Sequence, residues 1–195
     1  LADIIPVLIE EDGPLATKLA SICKPKNLAK AFLELTIASE ASAGSRKYRN
    51  LWSYTRCLTE LARHGLLDPV VGRHQEVRRL MQVLCRRSKN NPILVGPPGV
   101  GKSAIVEALA QRMSAGDVPE MLRGKELFSL DLPALYSGSD YRGLLEERTK
   151  GIMADIRSCH GTAILLINDL PSIFKATAPQ DLGGLLKSAL ASGEL

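Results

Sequence analysis

One eight-residue stretch, GPPGVGKS, has the residue types and the spacing needed to bind a polyphosphate. Its three glycines let the backbone curl so that successive N–H groups point at phosphate oxygens. The lysine can reach the outer phosphates, and the serine hydroxyl can bind magnesium. The predicted nucleotide-binding residues are Gly96, Pro97, Pro98, Gly99, Val100, Gly101, Lys102 and Ser103. The alternative interpretation of the same stretch is an ordinary glycine-rich turn.

A second stretch, AILLINDLPSIF at 163–174, is an apolar run that leads directly into Asn168 and Asp169. Polar side chains at the end of a buried strand can hold a metal ion or orient a water molecule. An amide oxygen accepts a hydrogen bond but brings no negative charge to a divalent cation, and hard oxygen sites depend on that charge. We therefore expect weak metal affinity here. The alternative is a buried strand that simply ends in a turn.

The elements that must position these groups alternate between strand and helix. Helix 74–87 and the helix that starts at Lys102 each carry apolar residues on one face. The remaining predicted elements are strands at 93–95, 126–132 and 163–167 and a helix at 143–157. Such alternation predicts an α/β domain with a largely parallel sheet.

The chain before this domain has a different character. Residues 1–38 are helical in pattern, and a polar stretch beginning at residue 39 indicates a linker. A short helical segment is predicted near 51–63, and the sequence DPVVGR at 68–73 breaks it off with a proline and a glycine. We expect three regions: a helical segment at 1–38, a linker at 39–62 and the α/β domain from residue 63 to 195.

Composition limits the classes of function. The 195 residues are 45% hydrophobic and 24% charged, with a net charge of +4, which is typical of a soluble, intracellular globular protein. No apolar run approaches the roughly 20 residues that span a bilayer. Aromatic residues make up 4% of the chain and do not alternate with basic ones, so nucleic acid is not an expected partner. The four cysteines are too far apart in sequence to suggest a metal site.

A continuous region from Arg63 to Leu132, which contains both DPVVGR and GPPGVGKS, resembles the first ATPase module of the Clp class of AAA+ unfoldases and disaggregases. The resemblance extends through GSDYRGLLEER at 138–148 and DLGGLLKSALASGEL at 181–195. Residues 54–62 resemble the segment that joins this module to an amino-terminal helical domain, and residues 4–36 are weakly similar to the last helices of that domain. The resemblance implies an incomplete P-loop NTPase fold preceded by an all-helical segment.

The same resemblance implies roles for particular residues. It implies that the glycine-rich loop holds ATP and that Ser103 and Asn168 hold Mg²⁺. Val70 and Val71 would lie near the adenine, although a Val-Val pair before a glycine is equally compatible with core packing. Tyr141 would contact the polypeptide substrate in the pore of a ring, and its alternative role is that of a packing residue.

Several positions depart from the family pattern. The resemblance implies that the catalytic residues are Asp169 and Lys102. Where the family has an aspartate followed by a glutamate, this chain has Asn168 followed by Asp169. The Asp169 carboxylate would lie about 1 Å too far from the attacking water, which can cost on the order of a hundredfold in rate. A slip of one residue would give Asp169 the metal position but leave Leu170 in place of the glutamate. Four further positions depart from the family. Pro171 replaces a histidine, Asp140 replaces a lysine, and Leu144 and Leu145 replace a glutamate and a phenylalanine.

The resemblance also implies partners. The complete protein would form a hexameric ring that uses ATP to thread unfolded or aggregated polypeptide, and a protease ring is a further candidate partner. Because the family continues beyond Leu195 into another strand of the sheet, and the chain starts at Leu1, we expect a piece of a longer protein whose targeting signal is not visible. The alternative function is a nucleotide-binding scaffold that hydrolyses ATP slowly. A nucleic-acid motor is disfavoured.

Overall fold

The computed structural model describes residues 48–137, 142–168, 170–173 and 180–191. All of them belong to one compact unit, Ser45–Leu195. The predicted helical segment 1–38 and the first part of the predicted linker lie outside the described residues.

Helices and strands both occur in this unit, but three helices follow one another before the second strand, because the predicted strand at 93–95 is absent. The helices in chain order are α1 (Arg49–Tyr54), α2 (Leu58–Arg63), α3 (His74–Leu84), α4 (Lys102–Ser114), α5 (Leu132–Tyr136), α6 (Arg142–Ser158), α7 (Leu170–Ile173) and α8 (Gln180–Ala191), with a 3₁₀ turn at Glu120–Leu122. The strands are β1 (Thr55–Cys57), β2 (Glu126–Leu130) and β3 (Ala163–Leu166).

The three strands form one sheet in the order β1-β2-β3. Strands β2 and β3 run parallel, with Phe128 opposite Leu165, as expected for strands joined by a helix. Strand β1 runs antiparallel to β2, with Thr55 opposite Leu130. The prediction of an α/β fold is confirmed, and the observed sheet is mixed because β1 joins its edge.

The middle strand contributes to a core on one face of the sheet. Phe128 and Leu130 are buried in a cluster with side chains from α1, α6 and α8. The rings of Trp52 and Phe128 meet edge to face with centroids 5.2 Å apart, an arrangement that aromatic pairs favour. Leu127 is also buried, and strand alternation directs it to the opposite face, where α2 packs on β2. Helices therefore cover both faces of the sheet.

Helix α4 is positioned by its apolar face. Ile105, Val106, Leu109 and Met113 are all buried, as their helical spacing predicts. Helices α2 and α3 both pack against α4. This packing fixes the position of Gly101, the residue that precedes α4 and ends the segment 90–101.

The predicted helix near 51–63 is wrong as a single element. The chain there forms α1, then the three-residue strand β1, then α2, and all three lie where the sequence analysis places the linker. The interruption has a tertiary cause. The N–H of Asp131 donates to the carbonyl of Tyr54 at 2.9 Å, which extends the pairing between β1 and β2 past the strand end.

Strand β1 and helix α2 are fastened to β2 by a polar cluster. The Glu126 carboxylate accepts hydrogen bonds from Thr59, from the Cys57 thiol at 3.1 Å and from Arg63 at 2.5 Å. Burial alone would raise the pKa of Glu126, but these donors outweigh it and hold the pKa below its usual value. Burial raises the pKa of Cys57 to about 12, so this thiol stays protonated and inert.

The predicted strand at 93–95 is also wrong. These residues belong to no strand, and Ile93 and Val95 are 73% and 91% exposed. A strand needs a neighbour to accept and donate its ladder hydrogen bonds, and none of the three strands in the described part of the chain pairs with this segment. An apolar run is therefore not enough to make a strand here.

Among the described residues no three His, Cys, Asp or Glu side chains are arranged to hold a metal ion, and no helix is long and apolar enough to cross a membrane.

Candidate nucleotide-binding site

The glycine-rich loop leads directly into the N-terminus of α4. Gly99 and Gly101 have φ values of 81° and 89°, a left-handed conformation that side chains rarely adopt. Gly101 is the residue that caps α4, and it offers no side-chain oxygen to the N–H groups of the first helical turn. Those N–H groups and the positive end of a 13-residue helix are suited to bind an anion.

Lys102 folds back over the loop from the first position of α4. Its ammonium group donates to the carbonyl oxygens of Gly96 and Pro97, both at 2.9 Å. These bonds place a full positive charge within the curve of the loop. The only lysine of the loop therefore lies over the loop itself, and its contact with phosphate stays a prediction.

A cleft of about 450 Å³ opens beside the loop. Val70 and Val71 line it together with Gly99, Val100 and Gly101, so the two segments that the sequence predicts to bind the base and the phosphates share one cleft. Val71 is 89% exposed, which shows that its side chain does not pack in the core. The other lining residues are Asp68, Pro69, Arg73, Ala104 and Glu107.

Arg73 connects these two segments and was not predicted as a site residue. Its guanidinium donates to the carbonyl of Val100 at 2.7 Å and to the Glu76 carboxylate at 3.0 Å. The sequence indicates this role of Arg73 only weakly, through its position between the helix-breaking sequence DPVVG and helix α3. Its contact with a residue 27 positions later could be found only in the tertiary structure.

The residues predicted to hold the metal ion are both neutral and exposed. Ser103 lies on the outer side of the first turn of α4, and Asn168 follows β3, where its amide donates to the Ser129 hydroxyl at 3.4 Å. Mg²⁺ is usually bound through one or two carboxylates together with substrate phosphates. A hydroxyl and an amide carry no negative charge. They are therefore better suited to a magnesium ion already bound to the phosphates of a nucleotide than to a magnesium ion that binds alone.

Two predicted site residues, Asp169 and Tyr141, lie outside the described residues, as does the departure at Asp140. Asn168 is described but does not line the cleft beside the loop. Leu145 is buried against the core, whereas Leu144 is 36% exposed.

A GPPGVGKS loop that leads directly into a helix, in a domain whose two parallel strands are joined and covered by helices, is characteristic of a P-loop nucleotide-binding protein. Residues 92–191 match the family described as ATPase family associated with various cellular activities (AAA). The match covers more than half of the 195 residues, and the chain belongs to this family.

Curated relatives place the chain more narrowly. It is 52% identical over 151 residues to the chaperone protein ClpB of Gloeobacter violaceus, a match that covers 76% of this chain and 17% of that protein. It is 45% identical over 188 residues to ClpB of Rhodopseudomonas palustris, covering 95% of this chain and 21% of that protein. The chain thus spans about a fifth of the length of these relatives.

Solved structures agree with the sequence matches. The S. cerevisiae Hsp104–ADP complex superposes with a TM-score of 0.67 at 45% identity, covering 74% of this chain and 20% of Hsp104. A closed state of Hsp104 with ATPγS and FITC casein gives a TM-score of 0.67 at 44% identity, covering 74% of this chain and 25% of that chain.

Proposed function

We propose that this chain is the ATP-binding segment of a Clp-like AAA+ chaperone ATPase, which unfolds or disaggregates proteins by threading polypeptide through the pore of a hexameric ring. One observation carries the nucleotide-binding part of this proposal. The loop at 96–103 has left-handed glycines, a lysine folded over its carbonyls and a helix N-terminus at its end, and all of these favour a polyphosphate.

The nucleotide in this proposal is ATP, with Mg²⁺ bound through its phosphates. Val70 and Val71 offer apolar surface to the adenine from the wall of the same cleft. Ser103 supplies a hydroxyl to the ion, and Asn168 supplies an amide oxygen. The solved Hsp104 structures with ADP and with ATPγS support this assignment, since they are similar to this chain at 44–45% identity.

Polypeptide is the proposed substrate, and Tyr141 is the residue proposed to contact it. The Hsp104 structure with casein supports a polypeptide partner. Since the relatives are about five times as long as this chain, ring assembly and threading are properties proposed for the whole protein. The proposal places this protein inside the cell. A protease ring is a further candidate partner, which an assay of degradation with added protease would test.

A second function is favoured by one residue. Asn168 lies two residues after the end of β3 and carries a neutral amide. A chain that binds ATP but places its metal poorly would act as a nucleotide-dependent scaffold with little hydrolysis. The two functions share the binding step and differ in turnover, so binding is tested first.

The test of binding is Lys102→Ala in the 195-residue chain. Lys102 is the only full positive charge that the loop itself brings to the phosphates, so we expect the variant to lose most of its ATP affinity. Calorimetric titration with Mg·ATP measures the loss. Lys187→Ala removes the same charge from an exposed site on α8 and should bind ATP like the parent chain. Equal affinity in the parent chain and Lys102→Ala would overturn the proposed function.

A further inference from the structure

Arg73 holds one particular peptide unit of the phosphate-binding loop. Its guanidinium donates to the Val100 carbonyl at 2.7 Å. The same side chain lies against the next residue, since a β-carbon built on Gly101 would meet an Arg73 nitrogen at 3.5 Å. Arg73 therefore contacts both residues of the Val100–Gly101 peptide.

Because a peptide unit is planar, the contact of Arg73 with the Val100 carbonyl also determines the direction of the Gly101 N–H. No peptide bond among the described residues is cis, and the C=O and N–H of a planar trans peptide point in opposite directions. Fixing the Val100 carbonyl on Arg73 thus directs the Gly101 N–H away from Arg73. A cation on the carbonyl also polarises the peptide and strengthens its N–H as a donor.

Arg73 is itself held in position. Its other terminal nitrogen donates to Glu76 at 3.0 Å, in the first turn of α3. A hydrogen bond from its own backbone N–H and the contact with Arg73 hold the pKa of the Glu76 carboxyl below its usual value. The carboxylate therefore remains charged at neutral pH and keeps the guanidinium turned toward the loop.

We propose that Arg73 is a positioning residue that orients the Val100–Gly101 peptide so that the Gly101 N–H is presented to the phosphates of the nucleotide. This inference rests on the proposed function and adds a residue to it. It also links the two segments of the cleft, because Arg73 lies two residues after Val71, one of the valines that are proposed to contact the base.

The experiment compares Arg73→Ala with Arg79→Ala, which removes the same charge from an exposed position of α3. We expect ADP to bind Arg73→Ala at least about fivefold more weakly than the parent chain, the usual scale for one well-placed hydrogen bond. Arg79→Ala should bind ADP within about twofold of the parent. Arg73→Lys keeps the charge but cannot bond Val100 and Glu76 in one planar fork, so it should show an intermediate loss.

A second readout needs no nucleotide. The ¹⁵N chemical shift of Gly101 reports the hydrogen bond on the preceding carbonyl, and we expect it to move in Arg73→Ala and Arg73→Lys but not in Arg79→Ala. Thermal unfolding checks that each variant is folded, and Arg73→Lys decides the matter if Arg73→Ala does not fold. If the parent chain binds ADP and both Arg73 variants bind it equally well, the inference is overturned and the proposed function stands. If the parent chain binds no ADP, the proposed function fails and the inference fails with it.

Discussion

At the residue scale, Asn168 has a neutral amide at a position where a carboxylate would bring charge to a metal ion. It follows β3 at the same edge of the sheet as the end of β2, and its amide reaches across to Ser129 at 3.4 Å. An aspartate at this position could accept a hydrogen bond from the Ser129 hydroxyl and still present a charged oxygen to a cation. The amide has a similar shape without the charge, so if this position binds Mg²⁺ as proposed, we expect the amide to bind it more weakly than an aspartate would.

The neutral amide of Asn168 predicts slow ATP hydrolysis, which substitution of Asn168 and Asp169 should accelerate. Residues 63–195 would replace the matching segment of Gloeobacter violaceus ClpB, which is 52% identical to this chain. Asn168→Asp with Asp169→Glu should then raise the ATPase rate of the chimera by at least about tenfold, or roughly 1.4 kcal/mol of barrier. The two changes should help more together than their separate effects predict, because the metal and the water must both be placed.

Lys102→Ala in the same chimera measures the background that other sites contribute. Brisk, magnesium-dependent turnover by this module with its Asn168–Asp169 pair unmodified would contradict our account of the end of β3.

At the scale of elements, the contact between α1 and α6 depends on a glycine. Tyr48 and Leu51 bond α6 through the Ser158 carbonyl at 3.2 Å and the Asp155 carboxylate at 2.9 Å. Gly151 makes the close approach possible, because a β-carbon there would lie 2.8 Å from the side chain of Asn50. A helical glycine is thus retained where alanine would otherwise favour the helix.

Gly151→Ala tests this packing. Glycine to alanine in a helix interior normally stabilises by roughly 0.5–1 kcal/mol, and Gly184→Ala in α8, where a β-carbon would meet nothing within 4 Å, should show that gain. Gly151→Ala should show none, because the new methyl displaces Asn50. Adding Asn50→Ala should recover at least about 0.5 kcal/mol as a coupling energy between the two sites.

Urea unfolding of the parent chain, Gly151→Ala, Gly184→Ala, Asn50→Ala and the double variant Gly151→Ala with Asn50→Ala measures these free energies. A gain in Gly151→Ala equal to that in Gly184→Ala would show that α1 and α6 are not in close contact at this point.

At the scale of the whole molecule, the proposed activity is that of a protein of which this chain spans about a fifth, judged by its relatives' length. Nucleotide binding is a property of one module, whereas threading depends on a ring. Substitutions that affect the substrate should therefore separate from those that affect the nucleotide.

Tyr141→Ala in the ClpB chimera tests this separation. If Tyr141 contacts the polypeptide, the variant should lose most of its ability to unfold a substrate, while its ADP affinity stays within about twofold of the parent chimera. Tyr141→Phe keeps the ring and should retain activity. Fluorescence of an unfolding reporter protein and calorimetry measure the two properties. Simultaneous loss of stability and nucleotide binding would identify the tyrosine as a packing residue.

Some features of this protein follow from local sequence alone. Helix α4, the phosphate-binding loop before it and strand β3 appear within about one residue of their predicted positions, because glycine conformation, helical spacing and apolar runs act over short distances. The parallel pairing of β2 and β3 follows from the helix between them. The sequence DPVVGR at 68–73 predicts a chain break, and no helix or strand forms between Arg63 and His74.

Other features were decided only by the tertiary structure. Residues 55–57 form a strand because β2 is available to pair with them, although their own sequence is compatible with a helix. Residues 93–95 have a strand-like sequence but form no strand, because no described strand pairs with them. Arg73 became a candidate site residue only when folding brought it to Val100. Each of these outcomes depends on a partner distant in sequence, which periodicity and composition cannot identify.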